Sequence, residues 1–282
     1  MEATFIPYTA TRTLPKGKIL ILSPHPDDEV FGCAGAIIQH IKQGNIVKVI
    51  IITDGSAAVN HHDTNSRLRY IETRQQESCK AAKILGYGIP EFWNLVDRTL
   101  TNNKQLVQRL SEYIRFNNIT QVYAPSLAEI HPDHSALANI ALKVANNCKI
   151  KLIMYEIGIP LHPNILLDIT PHLEHKKRAM DCFISQLKLQ DYRRHILGLN
   201  NYRSYTLPSH ITTAEAYYIF DNNITVQPWQ VFGPNKLTHD FATLTKELNT
   251  IYNSHSWRLT TPLRWLNKWR LRIIKINLNN LY

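Results

Sequence analysis

At 282 residues, with 44% hydrophobic and 19% charged residues, the chain can bury a sizeable core as one large α/β domain with an appendage. Its net charge of +10 is uneven: Arg258, Arg264, Lys268, Arg270, Arg272 and Lys275 fall after residue 253 with no acidic residue among them, which leaves +4 for the rest. That distribution argues against a nucleic-acid partner, and no run approaches the roughly 20 apolar residues of a membrane span.

Residues 1–7 lack a continuous apolar segment, so no signal peptide is expected there. Cys33, Cys79, Cys148 and Cys182 are scattered without CxxC spacing, which predicts reduced thiols and a cytoplasmic compartment. After the turn Pro15-Lys16-Gly17, the run Lys18–Leu22 reads as a buried strand of a parallel sheet. It leads into Ser23-Pro24-His25-Pro26-Asp27-Asp28-Glu29 and then a helix to about Gln43, closed by Gly44. The motif thus sits where a strand hands over to a helix, the place where open α/β sheets bind ligands. Two prolines stiffen the turn, and the crowded carboxylates would repel one another unless a cation sat among them.

Ile46–Ile52 reads as a second buried strand, followed by a polar loop carrying His61, His62 and Asp63. This histidine pair is expected to face solvent more often than a site. A helix is expected from about Ser66 to Leu85, stopped by Gly86. Within it, Arg74 and Glu77 form either an i, i+3 pair on a wet face or part of a site. A strand at Glu91–Leu95 precedes Asp97, and a helix over about 103–116 leads to the strand Gln121–Pro125. His131-Pro132-Asp133-His134 then precedes a helical pattern over 135–145, so a second His/Asp motif occupies a second strand-to-helix junction. A strand at 149–155 ends beside Glu156, which reads equally as a rim carboxylate or a ligand contact. Asp168-Ile169-Thr170-Pro171 reads as a helix entry with Thr170 as N-cap.

The paired motifs, His25-Pro-Asp-Asp-Glu and His131-Pro-Asp-His, resemble the signature of the PIG-L (LmbE-like) deacetylases, zinc hydrolases that remove acetyl groups from N-acetylated sugars. Arg74-x-x-Glu77, Asp168-Ile169-Thr170, Lys176 or Lys177, Ser185-Gln186 and Ala214-Glu215-Ala216 extend the likeness to about residue 220. The resemblance implies a Rossmann-like, mostly parallel sheet with helices on both faces. It implies His25, Asp28 and His134 as ligands of Zn²⁺, a set that also suits Fe²⁺. It further implies Asp27 as general base, His131 as oxyanion donor, and Asp133 as the group that orients His131 and raises its pKa. Arg74 and Asp97 would contact the sugar, whereas Glu29 is expected to support the helix start. Alternative readings are an amide hydrolase on a thiol-sugar conjugate or antibiotic, and a non-catalytic glycan-binding scaffold.

The expected domains are 1–235 for catalysis and 236–282 as a basic amphipathic extension. Ser254–Leu266 resembles a tail of bacterial surface-glycan glycosyltransferases, which suggests polysaccharide biosynthesis and a glycolipid substrate. With leucines on one face and cations on the other, the segment suits either peripheral contact at the inner face of a membrane or docking on protein.

Overall fold

The computed structural model describes residues 9–101, 103–220, 236–254, 257 and 260, with no side-chain account of 236–244. The chain divides into two units, Met1–Gln227 and Pro228–Tyr282. The first holds one eight-stranded sheet in the order β1-β7-β8-β6-β5-β2-β3-β4. The strands are β1 (Ala10–Thr11), β2 (Lys18–Ser23), β3 (Ile46–Thr53), β4 (Glu91–Leu95), β5 (Gln121–Pro125), β6 (Lys151–Tyr155), β7 (Ile165–Asp168) and β8 (Ala214–Phe220). All pairings are parallel except those of β8, which runs antiparallel to both β6 and β7.

The order explains where a site can form. From β2 the chain steps outward through β3 to β4, then returns to the other side of β2 as β5 and moves outward again to β6. Between β2 and β5 the winding reverses, and at such a switch point the loops leaving the two strands part to open a crevice. On one face, α1 (Asp28–Lys42) packs with α2 (Thr64–Leu85), α5 (Leu173–Met180) and α7 (Tyr192–Tyr202), while α6 (Ile184–Leu187) contacts α2 and α7. On the other, α3 (Lys104–Asn117) packs on α4 (Pro132–Cys148). Because both faces are covered, β2 is apolar without alternation: Ile19, Leu20, Ile21 and Leu22 are all fully buried.

Local signals account for most boundaries. Asp63 caps α2 by accepting the Ser66 amide, and Gly86 ends it in the left-handed conformation. Asn103 caps α3 through the Leu106 amide. Two expectations are corrected. First, α4 begins at Pro132, so Asp133 and His134 lie within its first turn instead of before it. Second, Thr170 does not cap a helix. Its hydroxyl accepts the Thr212 amide across the sheet, and a short 3₁₀ turn, Thr170–His172, precedes α5.

The second unit contains α8 (Lys236–Asn253), on which Leu248, Ile251 and Tyr252 are exposed. The expected amphipathic face over 259–276 lies outside the described residues. Among the described residues, no helix is long and apolar enough to cross a membrane.

Candidate metal centre

The β2–α1 and β5–α4 junctions converge as the switch point requires. The His25 Nδ1, Asp28 Oδ2 and His134 Nε2 atoms approach within 3.1 Å (His25–Asp28), 3.2 Å (His134–Asp28) and 3.2 Å (His25–His134). Two imidazole nitrogens and a carboxylate oxygen at such spacing form nearly an equilateral triangle. Bonds of about 2.0–2.1 Å to a tetrahedral ion give an edge of about 3.3 Å, so these donors fit zinc and leave one coordination position for a non-protein group. His131 also places a ring nitrogen near His25 and His134. The residues present therefore fit the metal implied by the sequence.

The far nitrogens of both histidines face carboxylates, as metal-binding histidines commonly do. His25 Nε2 lies 3.1 Å from Asp133 Oδ2 and 3.2 Å from Asp97 Oδ1. His134 Nδ1 lies 3.5 Å from Glu129 Oε2, and Glu129 is itself fixed by the amides of Ile157 and Gly158. Sequence reasoning gives Glu129 no part in the metal centre. Its only signal is a carboxylate five positions before His134 in a loop otherwise short of polar anchors.

In the metal-free protein these contacts decide the protons. Burial opposes protonation of His134, yet Asp28 and Glu129 lift it to about 9. Burial likewise opposes His25, while Asp133, Asp28 and Asp97 hold it well above the ordinary range. Burial would raise Asp28, but His134 and His25 hold it well below the usual carboxylate range. A divalent ion must therefore displace protons from the imidazoles. Zinc binding at pH 7 is expected to release at least one proton, with apparent affinity rising as pH climbs toward 9. Calorimetry in buffers of different ionisation enthalpy reads that number directly, and buffer-independent heats would contradict it.

Asp27 stands beside the triangle in a conformation that a side chain rarely adopts, φ 138° and ψ −31°. The backbone is held there from both sides. Its amide donates to Glu29 Oε2 at 3.0 Å, and its carbonyl accepts the amides of Val30 and Phe31. Glu29 is thus the anchor of the turn, as expected. The Asp27 side chain accepts from Arg74 Nη2 at 2.8 Å. Burial, opposed by Arg74 and assisted by Asp28, pushes Asp27 up to about 7. A carboxylate poised there suits general-base work near neutrality.

Of the two arrangements expected of Arg74, the wet-face pair with Glu77 is absent, and the residue lines the cleft beside Asp27. It is 2% exposed, and besides Asp27 it donates to the carbonyls of Pro26 (2.6 Å) and Gly55 (2.8 Å). Gly55 is required for this approach: with φ +63°, a Cβ there would stand 2.3 Å from Arg74 Nη1. Glu77 does not pair with Arg74. It accepts the amide and hydroxyl of Ser185 instead.

Two further expectations change. Asp133 does not orient His131, because its position in the first turn of α4 turns its carboxylate toward His25. There it also accepts the amides of Arg98 (2.7 Å) and Leu100 (3.1 Å). His131 is fixed by the backbone: its Nδ1 accepts the Asp133 amide at 3.2 Å, which leaves the neutral ring's proton on Nε2. Burial, together with the neighbouring His25 and His134, lowers its pKa and outweighs the upward pull of Asp133. Asp97 lines the cleft, where its Oδ1 lies 3.2 Å from His25 Nε2 and its Oδ2 accepts the Ala57 amide. Glu156 is tied to Arg203, and His61 reaches the Ser56 carbonyl away from the triangle.

A cleft of ≈ 690 Å³ opens over the triangle, lined among others by His131, Glu129, Arg98, Phe31, Gln186 and Tyr192.

Comparison with known proteins agrees with this geometry. Residues 20–145 match the PIG-L family, described as GlcNAc-PI de-N-acetylase, and the likeness read from the two motifs is borne out there. A 4-oxalmesaconate hydratase of Pseudomonas putida is 26% identical over 200 residues, covering 63% of this chain and 77% of that protein. A probable N-acetyl-alpha-D-glucosaminyl L-malate deacetylase 2 of Bacillus anthracis is 27% identical over 125 residues, 42% of this chain and 54% of that one. The N,N'-diacetylchitobiose deacetylase of Pyrococcus horikoshii has the same fold, with TM-score 0.64 and 21% identity over 73% of this chain and 84% of its own.

Proposed function

We propose, for a chain whose residues 20–145 form a PIG-L domain, a metal-dependent hydrolase that removes the acetyl group from an N-acetylated sugar. The observation that carries this reading is the donor triangle of His25, Asp28 and His134 with a carboxylate of pKa about 7 beside it. His25, Asp28 and His134 would hold the ion. When bound, a divalent metal supplies a Lewis acid that polarises a carbonyl and lowers the pKa of a coordinated water to roughly 7.

The remaining work falls to the chain. Asp27 takes the proton of the attacking water, and the Arg74 guanidinium keeps the carboxylate ionised and aimed. Neutral His131 donates its Nε2–H to the carbonyl oxygen as negative charge gathers there. Asp27, now protonated, returns the proton to the leaving amine, so one residue serves as base and then acid. Asp133 and Asp97 hold His25, and Glu129 holds His134.

Acetate release from a panel of free, nucleotide-linked and lipid-linked N-acetyl sugars tests the reading. No release from any of them by metal-loaded protein would overturn it. The hydratase relative supports a second reading, because a base beside a metal also adds water to a conjugated double bond. Loss of ultraviolet absorbance by an unsaturated tricarboxylate, without acetate release, would favour it.

Arg74 provides a test of the base that does not depend on which sugar is bound. Its charge lowers Asp27's pKa, so Arg74→Gln is expected to move the acid limb of kcat/KM upward by about a pH unit. An unmoved limb in an otherwise active variant would remove Asp27 as the titrating base.

We read residues 1–235 as the catalytic domain and 236–282 as an extension that brings the enzyme to a glycolipid at the inner face of a bacterial membrane. Surface-polysaccharide biosynthesis in the cytoplasm is the setting this implies. The composition of residues 254–282, basic and without an acidic residue, supports this.

A further inference from the structure

We propose that Arg98 reads an anionic group, a phosphate or carboxylate, on the part of the substrate that extends beyond the acetamide. The proposal rests on the deacetylase reading and names its substrate class. Arg98 lines the cleft and is exposed there. The other cations near this end of the sheet are engaged: Arg74 on Asp27, Arg67 on Asp54 and Arg203 on Glu156. Among the described residues, Arg98 forms no ion pair. A guanidinium held at the mouth of a site without a protein anion is available to a ligand's anion, and its planar fork suits phosphate or carboxylate.

Its placement is not that of a casual surface arginine. Its backbone sits in the left-handed region at φ 63°, which is costly for a residue with a Cβ. The conformation is fixed by its own amide, which donates at 2.7 Å to Asp133 Oδ2. That same oxygen lies 3.1 Å from His25 Nε2, so one carboxylate oxygen joins the Arg98 backbone to a metal-ligand histidine. The backbone from which the cation reaches is thereby tied to the reacting centre. The carboxylates Asp27, Asp28, Asp97 and Glu129, which also line the cleft, are committed to Arg74, to the histidines or to backbone amides.

The test compares a neutral and an anionic substrate, methyl N-acetylglucosaminide and N-acetylglucosamine 1-phosphate, with a carboxylate-bearing glycoside as the second anion. Arg98→Gln is expected to raise KM about 10- to 100-fold for the anionic compounds and to leave the neutral one unchanged. Arg98→Lys should recover part of the loss. Preference for only one of the two anions would identify which source the site takes. Equal losses on neutral and anionic compounds, or none on either, would overturn the proposal.

Should no compound release acetate, the deacetylase reading fails on its own terms. Calorimetric binding to metal-loaded protein then still decides Arg98. Tighter, salt-sensitive binding of the 1-phosphate over the methyl glycoside, lost in Arg98→Gln, supports it, and equal binding refutes it.

Discussion

Asp27→Asn is expected to bind metal as the parent protein does and to lose about 10²–10⁴-fold in kcat. The amide keeps the shape of the side chain but cannot accept the proton that water must give up. It also removes the anion that Arg74 neutralises, so the guanidinium's hydrogen bonds to the Pro26 and Gly55 carbonyls must hold the turn alone. Asp28→Asn should behave in the opposite order. An amide oxygen is a poor substitute in the triangle with His25 and His134, and activity falls because metal is lost. Elemental analysis beside single-turnover rates separates the two. If Asp27→Asn lost metal as readily as Asp28→Asn, the division of labour between these neighbours would be reversed.

The second large effect is on stability, at a buried ion pair that does not line the cleft itself. Lys176 and Glu215 are buried at 0% and 1% exposure and pair at 2.7 Å. Lys176 also donates to the Phe31 carbonyl at 3.0 Å. Glu215 accepts the Gly35 and Ala36 amides and the Tyr217 hydroxyl. The pair thus grips the backbone of α1, the helix that begins at Asp28. At Gly35 a Cβ would meet Ile169 Cγ2 at 2.2 Å and Glu215 Oε2 at 2.7 Å, so the bare backbone is what lets the carboxylate in.

Lys176→Met leaves Glu215 charged and unpaired in a dry interior, at a cost of about 3–5 kcal/mol. For a chain of this size that lowers the melting temperature by roughly 10 °C. Lys176→Met combined with Glu215→Gln should regain much of the loss, since the glutamine is uncharged and its one carbonyl oxygen still accepts a helix amide. Urea melts of the two variants decide it. Equal destabilisation of the single and double variants would mean that the charge pairing is not what matters.

Much of this fold could be read from sequence because parallel strands buried on both faces are uninterrupted apolar runs. Glu91–Leu95 and Gln121–Pro125 have the boundaries expected of them, and β2 and β3 end one residue later than expected. The ligand triangle was also visible, since both motifs are short and each follows its strand. What surrounds the triangle was not. Whether Asp133 faces His131 or His25 depends on the residue at which α4 starts, and Pro132 allowed a start three residues earlier than the hydrophobic period suggested. Helical spacing leaves Arg74 open between a wet-face pair and a site role, because it carries no information on the loop that folds over it. Lys176 and Glu215 stand 39 positions apart, and only the antiparallel course of β8 brings them together. Glu129 is aimed by backbone amides, and these have no residue type to betray them.

The separation of the two motifs bears on how the protein is made. His25 and Asp133 are 108 residues apart, and they meet because β2 and β5 pair side by side. A ribosome that has delivered the first motif has made one histidine and one ligand carboxylate, too few for a firm grip on zinc. The third donor, His134, takes its place only once α4 has packed on β5 and β6, a non-local step that is slow to form. A metal therefore could not seed this fold as it does in a zinc finger. An ion could be gripped only after the chain has been made through α4, with β7 and β8 still to be added to the sheet.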